Sequence, residues 1–166
     1  MIEPVTSKTP VLLFCRVSTD AQSYAYQLEE LQSYCTSQGY EVVETIANNI
    51  SGRTGAKRPD LEHLFSLAKR GIFRKVIVTS VERLGRDARM IRKTIDYLHE
   101  PKISVVFKNQ CFESLDTNGE ETFVTNILIS VYAEVSMEDN KQRLSKIKSG
   151  LDHAVKKGKT LGRQAG

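Results

Sequence analysis

The sequence predicts an α/β fold, with a mainly parallel central sheet of about four to five strands flanked by helices and a long C-terminal helix extending from the domain. One observation is alternation: short apolar runs are separated by segments whose apolar residues recur at helical spacing. Another is the segment from Glu120 to about Lys157, which contains no proline and only one glycine, Gly150. The 166 residues suffice for one domain with its own core.

Four apolar runs are predicted to be the strands of the sheet. Each is short and stops where polar residues begin, as expected of strands that are buried on both faces. A polar loop with several basic residues follows the second run, and another polar loop follows the fourth. The predicted strands are 11–15, 42–47, 76–78 and 104–107, and the loops are 48–58 and 110–119.

Three helices are predicted between these strands, because apolar residues recur there every three or four positions. Asp20 is the expected N-cap of the first helix, and Gly39 is its stop. Pro59 opens the second helix and Gly71 ends it. The predicted helices are 20–38, 59–70 and 88–99.

The long C-terminal helix carries an apolar stripe in its first half. Phe123, Ile127, Val131 and Val135 fall on one face, and the pattern weakens from 136 to 143 before it resumes. At 1.5 Å per residue a continuous helix would be about 55 Å long. Since that exceeds the width of the domain, its distal half cannot pack on its own core. We therefore predict a dimer interface in the first half and DNA contact in the second.

The second half of this helix is strongly basic. From 141 to 166, eight basic residues stand against the single acidic residue Asp152, a net charge of +7; the whole chain carries +4, so the preceding residues sum to −3. A mildly acidic body with a basic end indicates a polyanionic partner, although a solvated basic helix would show the same pattern. The expected DNA-binding residues are Arg143, Lys146, Lys148, Lys156, Lys157, Lys159 and Arg163.

The composition argues against several classes of site. The three cysteines are widely spaced without a CxxC pair, and none of the three histidines has HExxH spacing, so no metal is expected. No arginine lies six residues after Cys15 or Cys111, which excludes a cysteine phosphatase. The apolar runs are too short to span a bilayer and 1–10 lacks a signal core, so we expect a cytoplasmic protein without a membrane partner.

Two of the predicted strands end in residues that suit phosphate chemistry. Arg16 and Ser18 follow the first strand, and Glu82, Arg83 and Arg86 follow the third. The carboxyl ends of parallel strands share one edge, where ligands of open α/β sheets bind. Guanidinium groups hold phosphate oxygens, and a serine beside them is placed to attack a phosphodiester.

Each of these residues also has an ordinary explanation. A serine after a strand is most often a helix cap. Arg83 and Arg86 alone would most often be a solvated helix start, or a salt-bridge cluster with Glu82. Because these residues are predicted to lie together on one edge, a catalytic role is as well supported by the residues as these structural explanations.

Two motifs at a specific spacing decide between these alternatives. With them, the chain resembles the catalytic domain of the serine recombinases, the resolvase/invertase family, from about Val11 to Gly162. Either motif alone would be weak, whereas the pair is specific. In order, the matching residues are Arg16-Val17-Ser18-Thr19, Gln22, Gln27, Ser51-Gly52, Arg58 and Arg83-Leu84-Gly85-Arg86-Asp87.

This resemblance implies a site-specific recombinase that acts on double-stranded DNA. Ser18 matches the family nucleophile, which attacks the scissile phosphate, forms a 5′-phosphoserine bond and releases a 3′ hydroxyl. The resemblance implies no metal and no cofactor, and it implies homodimers that pair into a tetramer on synapsis. Arg16, Arg83 and Arg86 match the arginines around the phosphate, and the supporting positions are Gln22, Gln27, Ser51 and Arg58.

The chain departs from the family pattern in two places. The family usually has an aspartate where Glu82 stands; the carboxylate is retained, one methylene longer, as the candidate orienter or proton acceptor. The long helix usually carries a Glu-Arg pair near its middle, and 133–140 contains none. Arg143 could substitute for it.

The expected organisation has four parts: an extension at 1–10, the catalytic core at 11–119, a helix for dimerisation and DNA contact at 120–158, and the start of a linker at 159–166. By the resemblance, that linker leads to a missing C-terminal DNA-binding domain. Two rival functions stand beside the recombinase. One is a non-catalytic DNA-binding or assembly protein on the same fold. The other is a nucleotide-dependent enzyme, which would need phosphate-binding loops that the sequence lacks.

Overall fold

The computed structural model describes residues 8–17, 21–49, 58–85 and 87–156. Five strands form one sheet in the order β2-β1-β3-β4-β5. The pairs β1–β2, β1–β3 and β3–β4 are parallel, and β5 joins antiparallel to β4. The strands are β1 Thr9–Val17, β2 Tyr40–Asn49, β3 Lys75–Val78, β4 Ser104–Phe107 and β5 Phe112–Glu113.

Four α-helices alternate with or follow the strands: α1 Ala21–Ser37, α2 Pro59–Arg70, α3 Ala88–His99 and α4 Phe123–Lys156. A 3₁₀ turn, Val81–Arg83, lies between β3 and α3. The predicted α/β fold with a mainly parallel sheet is therefore confirmed. No helix among the described residues is both long and apolar enough to cross a membrane.

The alternation of side chains along the strands divides the core into two layers. Leu12, Phe14, Val76 and Val105 point to one face, where α2, α3 and the base of α4 pack. Val11, Leu13, Ile77 and Val106 point to the other face, which is covered by Leu31 and Cys35 of α1. Because both faces are covered, the strands are apolar throughout, as the sequence indicated.

Three strands are longer than predicted, namely β1 at 9–17, β2 at 40–49 and β3 at 75–78, whereas β4 has its predicted bounds and β5 was not predicted. β1 begins at Thr9, two residues early, because Pro10 near its start needs no ladder donor while its carbonyl accepts from the backbone N–H of Arg74 at 2.8 Å. β5 lies inside the predicted loop 110–119. Two residues are too short to show alternation, and the pairing depends on the tertiary stacking of the Phe112 and Phe107 rings, whose centroids are 4.8 Å apart.

The base of α4 is fixed to the domain by polar contacts. Arg92 of α3 donates to Glu121 at 2.7 Å and to Asn126 at 3.3 Å. His99 lies between Glu121, at 3.1 Å, and the hydroxyl of Ser114, at 2.8 Å. These bonds determine where the long helix leaves the core.

The first half of α4 has one packed face and one exposed face. Leu128, Ile129 and Tyr132 pack against the core. Phe123 is 77% exposed and Val131 is 56% exposed, and Ile127 and Val135 are also exposed. The apolar stripe predicted to need a partner thus faces away from the protein's own core.

Candidate active site at the carboxyl edge of the sheet

The neighbouring parallel strands β1 and β3 bring the two sequence motifs to one edge. β1 ends at Val17, which is bonded to Ser18, and β3 ends at Val78, just before the arginine-rich turn. Ser18 itself lies outside the described residues. The backbone of Arg16 is paired with Asn48 in the sheet.

The turn after β3 is anchored by its apolar residues. Val81 and Leu84 are buried in the core, which leaves Glu82 exposed and Arg83 half-exposed between them. Thr79, itself buried at the strand end, accepts a hydrogen bond from Nε of Arg83 at 3.3 Å. The apolar positions of the motif therefore hold the turn in place while its charged positions face outward.

The positive charge of Arg83 influences Cys15, near the end of β1. Burial raises the pKa of the Cys15 thiol to about 11, and the positive charge of Arg83 works against that rise. The turn Val81–Arg83 contacts β1, whose residue Cys15 is three residues before Ser18. The arginine-rich turn of the second motif therefore lies beside the strand that leads into the serine of the first.

Gly85 and Asp87 shape the passage from the turn into α3. A Cβ on Gly85 would lie 2.8 Å from the backbone nitrogen of Ile91 and 3.0 Å from Cβ of Met90, so only glycine fits this close approach. The side chain of Asp87 caps α3 by accepting from the N–H of Met90 at 2.8 Å. Both residues of the motif have structural roles that the sequence alone did not assign.

Arg58 has a partner that the sequence reading missed. Its side chain forms an ion pair with Asp60 at 2.7 Å, and both are buried. Asp60 stands in the first turn of α2, where an acidic residue is ordinarily explained by the helix dipole. The one available signal was its position two residues after a basic site residue.

The other predicted site residues are placed as follows. Gln27 is half-buried on α1, and Gln22 belongs to the first turn of the same helix. Lys146 and Lys148 are exposed on α4, which also includes Arg143 and Lys156. Predictions that fall outside the described residues are those for Ser18, Ser51, Arg86, Lys157, Lys159 and Arg163.

The helix α4 continues through 133–140, the segment in which the expected Glu-Arg pair is missing. Glu134 is exposed there. Among the described residues, no group of three or more His, Cys, Asp or Glu side chains is arranged to hold a metal ion.

The family model of the resolvase N-terminal domain matches residues 11–160. The chain belongs to the resolvase family. It is 31% identical over 158 residues to the transposon Tn2501 resolvase of Escherichia coli, covering 92% of this chain and 75% of that protein. It is 30% identical over 158 residues to the serine recombinase PinR of E. coli strain K12, covering 92% and 74%.

Solved structures agree with this membership at the level of the fold. A resolvase family site-specific recombinase from Streptococcus pneumoniae superposes with a TM-score of 0.60 at 21% identity, covering 89% of this chain and 99% of that one. The N-terminal catalytic domain of TP901-1 integrase superposes with a TM-score of 0.59 at 20% identity, covering 81% of this chain and 98% of that one.

The resemblance to the serine recombinases is confirmed, and this resolvase-family chain is a serine recombinase catalytic domain whose activity is site-specific DNA recombination. Neither the non-catalytic alternative nor the nucleotide-dependent one is favoured.

Proposed function

We propose that this recombinase cuts and rejoins DNA through a covalent bond between Ser18 and a 5′ phosphate. The observation that carries the proposal is the contact between the turn Val81–Arg83 and β1, the strand that leads into Ser18. A nucleophile and a guanidinium on adjacent parallel strands can approach one phosphate together.

The chemical step is an in-line exchange at phosphorus. Oγ of Ser18 attacks, the bond between Oγ and phosphorus forms, and the bond from phosphorus to the 3′ oxygen breaks. The serine proton passes to a base, for which the exposed carboxylate of Glu82 is our candidate, and the departing 3′ oxygen takes up a proton. Arg16, Arg83 and Arg86 stabilise the charge that develops on the phosphate oxygens.

The serine–phosphate bond retains the energy of the phosphodiester, so religation is the same step in reverse and consumes no cofactor. We assign supporting roles around the phosphate to Gln22, Gln27, Ser51 and Arg58. Because the substrate is DNA, we also place the protein in the cytoplasm.

We further propose that the exposed stripe of α4 is the homodimer interface, and that two dimers pair into a tetramer at synapsis. Phe123, Ile127, Val131 and Val135 are exposed together on one side of the helix, which is unusual for a protein that stays monomeric. The basic residues beyond them, among which Lys146 and Lys148 are exposed, would then contact the phosphate backbone.

The covalent intermediate is the direct test. The whole natural protein is incubated with a labelled duplex selected from a random pool by its binding, then quenched in detergent and analysed for protein bound to 5′ ends. We expect the wild type to form an adduct that maps to Ser18 by mass spectrometry, and Ser18→Ala to form none while still binding the duplex. An adduct that persists in Ser18→Ala would refute the assignment.

A further inference from the structure

Asp60 is a buried acidic residue next to the proposed active site. Its side chain is 2% exposed and that of Arg58 is 7% exposed. Nε of Arg58 donates to the two carboxylate oxygens at 2.9 and 3.1 Å, and Nη2 donates to Oδ2 at 2.7 Å. A planar guanidinium bound at two nitrogens has one orientation, so Asp60 determines where Arg58 points.

The same guanidinium reaches the first turn of α3. Nη1 of Arg58 donates to Sδ of Met90 at 3.7 Å. On its other side, Met90 places its Cβ 3.0 Å from where a Cβ on Gly85 would stand. Arg58, Met90 and Gly85 therefore form one line of contacts, which leads from the start of α2 to the arginine-rich turn.

We propose that Asp60 is a positioning residue for DNA cleavage. It orients Arg58, Arg58 supports Met90, and Met90 supports the turn that presents Arg83 at the edge of the sheet. Asp60 itself touches no DNA in this assignment. The inference rests on the proposed function, since the turn matters for the rate only if Arg83 serves the phosphate.

A cavity of about 200 Å³ beside the ion pair allows positioning to be lost without loss of the fold. Arg58, Met90 and Thr94 line it, together with the exposed residue Glu62. If Asp60 loses its charge, the guanidinium can turn into this space towards the carboxylate of Glu62. The backbone N–H of Glu62 donates to the carbonyl of Arg58 at 3.1 Å, but no hydrogen bond or ion pair joins their two side chains, so Glu62 provides a matched control on the same helix turn.

The experiment compares Asp60→Asn with Glu62→Gln in the adduct assay, at saturating duplex and well below the melting temperature of each variant. We expect Asp60→Asn to slow single-turnover adduct formation by about tenfold or more while Kd for the duplex stays at the wild-type value, because misplacing a donor affects the transition state and not the binding of the backbone. Glu62→Gln should cleave like the wild type. Wild-type rates in a folded Asp60→Asn, or a slower rate fully explained by a weaker Kd, would overturn the proposal.

A second pair of variants decides the question if Asp60→Asn fails to fold. Met90→Ala removes the support and should slow adduct formation several-fold at unchanged Kd, whereas Met90→Leu keeps the volume and should restore most of the rate. Where Asp60→Asn folds, the double variant with Met90→Ala should form the adduct no more slowly than the slower of the two single variants, because both residues act through one line of contacts. The proposal would be contradicted if the two reductions in rate multiplied in the double variant, or if Met90→Ala and Met90→Leu formed the adduct at equal rates.

Adduct formation by the wild type distinguishes a failure of the positioning role of Asp60 from a failure of the proposed function. If the wild type forms no adduct at Ser18, the proposed function fails and the role of Asp60 falls with it. If the wild type forms the adduct and the Asp60 and Met90 variants match it, only the positioning role is wrong.

Discussion

Lys75 and Arg83, two cations at opposite ends of the sheet, have different kinds of partner. At the amino end, Lys75 donates to Glu113 at 2.6 Å and to Tyr40 at 3.3 Å, and its ammonium lies 5.1 Å from the centre of the Tyr40 ring. At the carboxyl end, the hydrogen-bond partner of Arg83 is the neutral hydroxyl of Thr79, and no ion pair of Arg83 occurs among the described residues.

This difference separates structural charges from charges that are available to a ligand. The ammonium of Lys75 is neutralised within the protein, so a phosphate would have to displace Glu113 to reach it. The guanidinium of Arg83 donates to a neutral hydroxyl and has no ion pair among the described residues, which suits transition-state stabilisation. The comparison thus predicts that equivalent deletions at the two ends will have different consequences.

The largest expected effect is at the carboxyl end. Arg83→Ala should lower the rate of adduct formation by about a hundredfold or more, as for loss of one transition-state donor. Its melting temperature should change little, because Arg83 is half-exposed and outside the ion pairs of the described residues. Single-turnover cleavage and thermal unfolding on the same preparation measure the two quantities.

Lys75→Met is the matched deletion at the amino end and should show the opposite pattern. It leaves Glu113 without its charged partner and should cost about 1–2 kcal/mol of unfolding free energy. Adduct formation by the folded fraction should stay at the wild-type rate. A cleavage defect in Lys75→Met, or a stability defect alone in Arg83→Ala, would remove the distinction between the two ends.

The next largest effect concerns the glycines at the two ends. Gly85→Ala should destabilise the protein by about 1–3 kcal/mol and slow cleavage, because its Cβ would press on the backbone nitrogen of Ile91 and shift the turn that carries Arg83. Gly71 ends α2 at the amino end with φ of 66° and open space around it. Gly71→Ala should therefore cost about 1 kcal/mol through backbone strain and leave the cleavage rate intact. Equal cleavage defects in both would contradict the comparison.

The smallest expected effect is a pH dependence of protein stability that arises from His99, at the amino end of the sheet. Burial lowers the pKa of His99 from its ordinary 6.5, while the neighbouring carboxylate of Glu121 acts in the opposite direction and Arg92 adds to the lowering. The unfolded chain then binds the proton more readily, so stability is full above pH 6.5 and is lost as the pH falls through 6.5 towards the lowered pKa.

We expect the melting temperature of the wild type to fall over this window by more than that of His99→Gln, in which the titrating ring is absent. The difference between the two curves isolates His99 from the other histidines. Parallel curves would show that His99 does not titrate differently on unfolding.

Local patterns were sufficient for most of the elements and for predicting that β1 and β3 end at one edge of the sheet. Strands buried on both faces are apolar along their whole length, and parallel strands must end at one edge, so the sequence predicts Arg83 near Ser18. β5 could not be expected, because its two residues are held by a ring contact with Phe107 across the hairpin. The sequence also predicted Arg58 as a supporting residue but could not show that it forms an ion pair with Asp60.

By itself, the sequence determined the fold class and the family and predicted candidate residues for the chemistry, since periodicity and motif spacing are properties of the chain. Only the tertiary structure decided which face of α4 packs through Leu128 and Ile129 and which cations are neutralised. Charge compensation depends on distances of a few ångströms between residues far apart in sequence, as between Lys75 and Glu113. Whether a cationic side chain is structural or available to a ligand is therefore decided only once the chain has folded.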